Sequence, residues 1–144
     1  MVEEGKPAPD FELTSDAGER VRLSELHGRP VVLYFYPKDD TPGCTAQACG
    51  IRDAFAEFRA RGAEVLGVSA DDEASHQAFK EKYSLPFTLL ADTELETGRA
   101  YGVVQDDSPF FARSTFVIDA EGNVAKILRR VDPQTHADQV LAAL

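Results

Sequence analysis

The chain has 144 residues, of which 25 are acidic and 15 are basic, and its formal net charge at pH 7 is −10. This length corresponds to about one domain, so we expect residues 1–144 to form a single domain, and no apolar run approaches the roughly 20 residues needed to span a bilayer. The acidic balance argues against nucleic acid or a membrane surface as the main partner, because both attract basic patches.

Strands and helices are predicted to alternate along the chain. Alternating apolar residues predict a hairpin over 11–13 and 21–23, followed by a helical turn over 24–28. The apolar run 31–36 is typical of a strand buried on both faces, and apolar spacings of three and four predict a helix over 44–61. Further strands are predicted over 63–70, 87–90, 114–119 and 124–130, and further helices over 72–83, 94–101 and 133–144.

This order of elements predicts an α/β fold with a central mixed sheet flanked by helices. The right-handed crossover rule places the strands 31–36 and 63–70 parallel to each other. The antiparallel hairpin and helix at the end of the chain complete a thioredoxin-like arrangement. The N-terminal β-hairpin is an addition to that arrangement.

Cys44 and Cys49 are the only cysteines, too few for the disulfide framework of a small secreted domain. Their spacing matches neither a Cys-x-x-Cys redox pair nor a zinc knuckle. The three histidines are scattered, and we interpret them as surface or filler residues. We therefore expect no metal site and no cofactor. Residues 1–6 have neither the positive nor the apolar region of a secretory signal, so we expect a cytoplasmic protein.

Cys44 lies where the loop after a buried strand becomes a helix, at the end of the sheet where α/β proteins usually bind ligands. Pro42 and Gly43 form a tight turn, so the thiol faces free backbone N–H groups and the positive end of the helix dipole, which favour thiolate over thiol. Nucleophilicity falls as the thiolate is stabilised, so an enzyme also needs donors that stabilise the transition state. The candidates are the Thr41 hydroxyl, the amides of Gly43 and Cys44, and an arginine from elsewhere in the chain.

The pattern Pro37-x-x-x-Thr41-x-x-Cys44 resembles the active-site motif of peroxiredoxins, which are thiol peroxidases with a thioredoxin-like fold. The stretch Thr-Pro-Gly-Cys-Thr-Ala-Gln-Ala-Cys over 41–49 is similar to the bacterioferritin-comigratory or Q-type branch of that family. Arg113, at the start of a late strand, matches the arginine that the family places near its reactive thiol. The resemblance covers nearly the whole chain.

The resemblance implies a role for each motif residue. The Cys44 thiolate would attack the peroxide O–O bond and become a sulfenic acid, while Thr41, the Cys44 amide and Arg113 hold the two oxygens. Pro37 would shield the sulfenate from solvent. Cys49, the resolving cysteine, would form an intramolecular disulfide with Cys44, and thioredoxin or glutaredoxin would reduce it.

Helix geometry adds a condition to that disulfide. The Cα atoms of residues i and i+5 of an α-helix lie about 8.6 Å apart, whereas a disulfide spans at most about 7 Å. The bond between Cys44 and Cys49 therefore requires the first one or two helical turns to unwind. Because an intrachain disulfide needs no second subunit, we expect a monomer.

The segment 103–112 departs from the pattern of many Q-type peroxiredoxins, which have a longer segment here, often with a tryptophan. This chain has no tryptophan. We interpret Phe110 and Phe111 as apolar rim residues of the peroxide site, with ordinary packing as the alternative for both. Gly43 would contribute to the same substrate-binding site.

Structural alternatives stand beside these roles. The two cysteines could be small core residues, Thr41 could be a helix N-cap and Arg113 could be a surface charge. Asp39 and Asp40 are interpreted as solvated loop residues. Two other functions also remain: a thioredoxin-type disulfide oxidoreductase, which the cysteine spacing disfavours, and a redox sensor or holdase without sustained turnover.

Overall fold

The computed structural model describes residues 2–105, 108, 110–129 and 131–144. Its strands and helices follow the predicted order. They are β1 (Glu12–Ser15), β2 (Arg20–Arg22), a 3-10 helix (Leu23–Leu26), β3 (Val31–Phe35), α1 (Pro42–Asp53), α2 (Phe55–Ala60), β4 (Glu64–Ser69), α3 (Glu73–Tyr83), β5 (Thr88–Ala91), α4 (Glu96–Ala100), β6 (Ser114–Ile118), β7 (Val124–Arg129) and α5 (His136–Ala143). None of the helices described is long and apolar enough to cross a membrane.

The strands form one mixed sheet in the order β2-β1-β5-β4-β3-β6-β7. β3 and β4 are parallel, with Val31 opposite Glu64 and Phe35 opposite Val68, and β4 and β5 are parallel as well. β6 runs antiparallel to both β3 and β7. The predicted central mixed sheet is therefore confirmed, and the N-terminal hairpin extends it through an antiparallel pairing of β1 with β5.

Alternate residues of the central strands build two cores, one on each face of the sheet. Leu33 and Phe35 of β3 belong to the core that also contains Tyr101 and Phe111. Val32 and Tyr34 face the opposite core, which buries the apolar side chains of α1, α2, α3 and α5. On α1, positions 44, 48 and 51 share this inner face because residues three and four apart in a helix lie on one side.

The helix predicted over 44–61 begins two residues earlier and is divided at Ala54. Proline suits the first helical position because its missing N–H would have no partner there, and α1 begins at Pro42. At the division, Ala54 has φ −99° and ψ 7°. On either side of this division, Ile51 of α1 and Phe58 of α2 are both completely buried.

The N-terminal segment covers part of β7, which is an edge strand of the sheet. The amide of Gly5 donates to the carbonyl of Val124 at 2.7 Å, and the Val124 amide donates to the carbonyl of Lys6 at 2.8 Å. The amide of Ile127 donates to the Glu4 carboxylate at 3.0 Å. Unpaired edge amides are sites for association with another strand, and these two amides of β7 are already occupied.

Candidate active site

Cys44 is the third residue of α1 and is 2% exposed. The helix follows a short loop, residues 37–41, which we call the motif loop. The amides of Gly43 and Cys44 have no carbonyl within the helix to donate to, because the first turn of a helix leaves its N–H groups free. The Thr45 amide is the first to close a turn, and it donates to the carbonyl of Thr41 at 2.8 Å. The Cys44 sulfur thus lies at the positive end of α1.

Arg113 brings a permanent positive charge to this sulfur. It directly precedes β6, and the pairing of Ser114 with Phe35 places it beside the end of β3 where the motif loop begins. Its Nη1 lies 3.5 Å from the Cys44 Sγ and donates to Oε1 of Gln47 at 2.8 Å. The side chain therefore faces the Cys44 thiol and is not a free surface charge.

Gly43 gives the guanidinium room to approach the helix. A Cβ atom at this position would lie 3.0 Å from Nη2 of Arg113 and 3.7 Å from Cγ of Pro133. The first of these distances is tighter than an ordinary van der Waals contact. The absence of a side chain at Gly43 thus lets Arg113 lie against the first turn of α1.

Thr41 and Pro37 lie at the two ends of the motif loop. Thr41 occupies the N-cap position of α1 with extended backbone angles, but its side chain makes no capping hydrogen bond. Its hydroxyl donates to the carbonyl of Lys38 at 3.0 Å. Thr41 is thus the N-cap residue by its backbone position, as the alternative predicted, but its side chain does not cap the helix. Pro37 is partly buried directly after β3 and Tyr36.

Cys49 lies in the same uninterrupted helix as Cys44, and both are free thiols in this structure. Cys49 is partly buried, whereas Cys44 is buried. Five residues of ideal helix separate two Cα atoms by about 8.6 Å, beyond the reach of a disulfide. The structure therefore has the thiols in an arrangement that cannot form the bond without unwinding.

Polar side chains that the sequence analysis did not select lie around this thiol. Within the described residues, three buried polar atoms make no hydrogen bond: Oη of Tyr34, Nε2 of Gln47 and Nδ1 of His136. Burial, and then the charge of Cys44, raise the pKa of Tyr34 well above its ordinary value. Gln47 follows Cys44 by three residues, so helical spacing alone could have placed it on the same face.

His76 and His136 are both completely buried, so their interpretation as surface or filler residues is wrong. His136 packs its ring 5.5 Å from that of Tyr34, and its Nε2 lies 2.6 Å from the Thr115 hydroxyl. Burial, and then the positive charge of Arg113, lower the pKa of His136 to about 4. His136 is therefore neutral at physiological pH.

The interpretation of Asp39 as a solvated loop residue is also wrong. Asp39 is 7% exposed, and its carboxylate accepts hydrogen bonds from Tyr36 at 2.6 Å and Ser75 at 2.8 Å. His76 Nδ1 lies 2.7 Å from it. Asp40 is exposed, as expected, and pairs with Lys82. The local sequence could not show the burial of Asp39, because its partners on α3 lie 36 and 37 residues away.

The two phenylalanines predicted at the rim differ in position. Phe111 is 1% exposed and packs edge-on against Phe35. Phe111 is therefore an ordinary packing residue, as the alternative had it, and does not line the rim of the site. Phe110 is 43% exposed. Of the segment 103–112, residues Asp106, Asp107 and Pro109 lie outside the described residues.

No cluster of three or more His, Cys, Asp or Glu side chains that could hold a metal ion occurs within the described ranges. The groups around Cys44 are a guanidinium, backbone amides and an amide side chain. This set supplies hydrogen-bond donors and positive charge at a buried thiol. It suits a reaction in which sulfur attacks a substrate and negative charge moves onto the leaving atom.

Comparisons with known proteins agree with this chemistry. The sequence profile of the AhpC/TSA family matches residues 4–127. The chain is 44% identical to the putative peroxiredoxin bcp of Coxiella burnetii, and the alignment covers 99% of both chains. The structure resembles that of peroxidoxin BcpB from Mycobacterium tuberculosis with a TM-score of 0.92 and 34% identity, covering 99% of this chain and 96% of that one.

A second solved structure is that of the bacterioferritin comigratory protein of Xanthomonas campestris. It matches with a TM-score of 0.91 and 34% identity, over 98% of this chain and 96% of that one. That protein was studied for its alkyl peroxide reduction activity through trapped intermediate or ligand complex structures. These matches confirm the predicted thioredoxin-like fold.

Proposed function

Since the chain belongs to the AhpC/TSA family and is a peroxiredoxin of the Bcp and Q type, we propose a role for each of its active-site residues in the cysteine-based reduction of peroxides. Cys44 is the proposed peroxidatic residue. The observation that carries this assignment is the Arg113 guanidinium 3.5 Å from its sulfur, at the first turn of a helix. Cys49, which follows five residues later, has no such neighbour among the described hydrogen bonds.

The first step transfers oxygen to Cys44. The thiolate sulfur attacks one oxygen of the peroxide, the O–O bond breaks, and its electron pair leaves with the other oxygen. That oxygen takes up a proton and departs as water or an alcohol, and Cys44 becomes a sulfenic acid. Arg113 and the free amides of α1 stabilise the charge that develops on the departing oxygen, and one donor of this kind contributes about 10²- to 10³-fold in rate.

Thr41, Gly43 and Pro37 complete the proposed peroxide site. The Thr41 hydroxyl proton is engaged by the Lys38 carbonyl, so its oxygen is free to accept a hydrogen bond from the peroxide. The amides of Gly43 and Cys44 donate from the helix end. Pro37 shields the sulfenic acid from solvent. Hydrogen peroxide and organic hydroperoxides are the proposed substrates, with Phe110 at the rim.

The second step forms the disulfide. The Cys49 thiolate attacks the sulfenic sulfur of Cys44, the S–O bond breaks, and water leaves after protonation. Because helix geometry separates the two residues too far, the first turns of α1 unwind. A dithiol protein, thioredoxin or glutaredoxin, then reduces the disulfide by exchange.

We propose that the protein acts as a monomer. The proposed disulfide lies within one chain, and residues 4–6 already occupy the edge amides of Val124 and Ile127. Sedimentation should show a single species with the mass of one chain. A dimer at micromolar concentration would contradict the proposal. The cytoplasm is the proposed compartment, because thioredoxin and glutathione keep thiols reduced there.

Sustained turnover separates this function from its alternatives. With thioredoxin, thioredoxin reductase and NADPH, we expect the protein to consume many equivalents of peroxide, and we expect Cys44→Ser to consume none above background. A redox sensor or holdase would stop after one equivalent. A disulfide oxidoreductase would reduce insulin without any peroxide. Either of those results would overturn the peroxidase assignment.

A further inference from the structure

Helix α3 holds the motif loop at two adjacent aspartates. The Asp39 carboxylate lies against Ser75 and His76 in the first half of α3. The Asp40 carboxylate accepts hydrogen bonds from Lys82 and Tyr83 in the last turn, each at 2.8 Å. Asp40 has φ 59°, a left-handed conformation that residues other than glycine seldom adopt. The loop that carries Pro37 and Thr41 is thus tied along the length of a neighbouring helix.

The contacts of His76 determine which of its ring nitrogens carry hydrogens. Nε2 lies 2.9 Å from the Leu90 carbonyl, which can only accept, so Nε2 carries a hydrogen. Nδ1 lies 2.7 Å from Asp39, and two hydroxyls, those of Tyr36 and Ser75, already donate to that carboxylate. Nδ1 thus faces an acceptor as well. His76 therefore carries hydrogens on both nitrogens, and the pair is an imidazolium beside a carboxylate.

This pair removes a buried negative charge from the surroundings of the thiol. The Asp39 carboxylate accepts a hydrogen bond from Tyr36, and Tyr36 belongs to the same core cluster as Cys44, so the carboxylate and the thiol border the same core. A negative charge there opposes formation of the thiolate. The imidazolium of His76 offsets that charge at 2.7 Å, inside a site where solvent does not screen it.

We propose that His76 is a positioning residue for the peroxidase reaction: paired with Asp39, it fixes the motif loop and neutralises the buried carboxylate near Cys44. This inference rests on the proposed function, because it assigns a role in the same site. His76 reaches neither the peroxide nor the sulfur in this account. It acts through Asp39 and through the loop that carries Thr41.

The groups around His76 come from every neighbouring element. Asp39 faces it from the motif loop, and Tyr36 from the end of β3, with 3.4 Å between its hydroxyl and Nδ1. The Leu90 carbonyl faces it from β5, and Asp71 adds a negative charge from the segment after β4. Burial alone lowers the pKa of His76, but the Asp39 carboxylate and the other acceptors outweigh it and raise that pKa above its ordinary value.

The direction of this shift sets the pH dependence. A histidine whose pKa is raised by folding contributes its pairing energy fully below its ordinary pKa of about 6.5 and loses it as the pH rises through the raised value. The Asp39 charge becomes unbalanced only on the alkaline side. The loop should therefore be held most firmly below about pH 6.5, and less firmly as the pH rises through the raised pKa of His76.

Two readouts test the proposal. The first is the rate at which Cys44 is oxidised by hydrogen peroxide at pH 7, and the second is the pH at which Cys44 becomes half-reactive toward iodoacetamide, both measured on the Cys49→Ser background. His76→Gln should slow oxidation about tenfold or more and shift half-reactivity upward by about one pH unit, as expected for an unbalanced buried charge. The double variant Asp39→Asn/His76→Gln, which removes both charges, should recover most of the rate.

Asp92→Asn is the matched control. Asp92 is also a buried carboxylate, but it accepts hydrogen bonds from the amides of Thr97 and Gly98 at the start of α4. This variant should melt at a lower temperature and keep wild-type reactivity at Cys44. If His76→Gln does not fold, Tyr36→Phe, which removes one hydroxyl from Asp39, replaces it and should slow oxidation by a smaller factor.

Three outcomes would overturn the proposal, and a fourth would overturn the proposed function. Wild-type reactivity in a folded His76→Gln protein overturns the proposal, and so does a double variant that is no faster than His76→Gln. Loss of rate in Asp92→Asn to the same degree would show that stability alone is responsible, which also overturns it. Failure of the wild-type protein to react with peroxide would instead overturn the proposed function, while the iodoacetamide profile would still report on His76.

Discussion

Nη1 of Arg113 lies 3.5 Å from the sulfur of Cys44, although 69 residues separate them in the chain. The antiparallel pairing of β3 with β6 creates this proximity, because Phe35 lies opposite Ser114. Arg113 directly precedes β6, and Cys44 follows β3 after the motif loop. The sheet register is thus a condition of the proposed chemistry.

Arg113→Ala should slow the oxidation of Cys44 by hydrogen peroxide by about 10²-fold, because it removes a charged donor from the site of developing charge. The loss should exceed the change in thiolate fraction measured by alkylation at the same pH. Arg99→Ala is the control, since Arg99 is exposed on α4 and its side chain contacts only the Glu94 carbonyl among the described hydrogen bonds. A rate for Arg113→Ala within threefold of wild type would contradict the role of the guanidinium.

Gly43→Ala should slow the same reaction about tenfold, because the new Cβ would lie 3.0 Å from Nη2 of Arg113 and displace the guanidinium. Gly50→Ala is a matched change on the same helix, where the Cβ would meet only Ala137 at 3.9 Å. It should keep the rate and stabilise α1 by up to about 1 kcal/mol. Equal rates in the two variants would show that the space at Gly43 is not needed.

Cys49→Ser should keep one fast reaction with peroxide and lose cycling with thioredoxin, because no thiol within the chain can resolve the sulfenic acid. It should also accumulate sulfinic acid at Cys44 under excess peroxide, which the intact mass would show. In the wild-type protein, oxidation should reduce the helical circular dichroism signal as α1 unwinds. Normal cycling of Cys49→Ser with thioredoxin would rule out the intramolecular disulfide.

His136→Gln should flatten the loss of stability in acid. The pKa of His136 is lowered to about 4 in the folded protein, against about 6.5 when unfolded, so the unfolded state binds more protons between these values. The free energy of unfolding of the wild-type protein should thus fall by about 2 kcal/mol more than that of the variant between pH 7 and pH 5.

Urea unfolding at the two pH values measures this difference directly. His27→Gln is the control, because His27 is exposed and its replacement should leave the pH dependence of stability unchanged. Parallel curves for the wild-type protein and His136→Gln would show that His136 has the same pKa in the folded and unfolded states.

Local patterns account for the parts of the fold and site that were predictable. The apolar run of β3 predicts a strand buried on both faces, and the motif around Cys44 lies within one loop and one helical turn. Helical spacing could also have predicted the burial of two histidines. His76 lies three residues before Phe79 and His136 lies four residues before Val140, so each histidine shares a helix face with a buried apolar residue. A histidine on such a face points toward the core.

Contacts between distant segments account for the parts that were not predictable. The partners of Asp39 lie on α3, 36 and 37 residues along the chain, and Gln47 receives its donor from Arg113, 66 residues away. The burial of an aspartate follows only from such a partner, because an unpaired carboxylate would remain in water. The residues next to Asp39 in the sequence are typical of any polar loop.

The most direct test of the account is to trap the first intermediate. One equivalent of hydrogen peroxide is added to the reduced protein carrying Cys49→Ser in the presence of dimedone, which reacts with sulfenic acids, and peptide mass spectrometry locates the adduct. We expect the adduct on Cys44, formed much faster than in the same protein with Arg113→Ala. Absence of the adduct from Cys44, or equal rates with and without the guanidinium, would contradict the central claim.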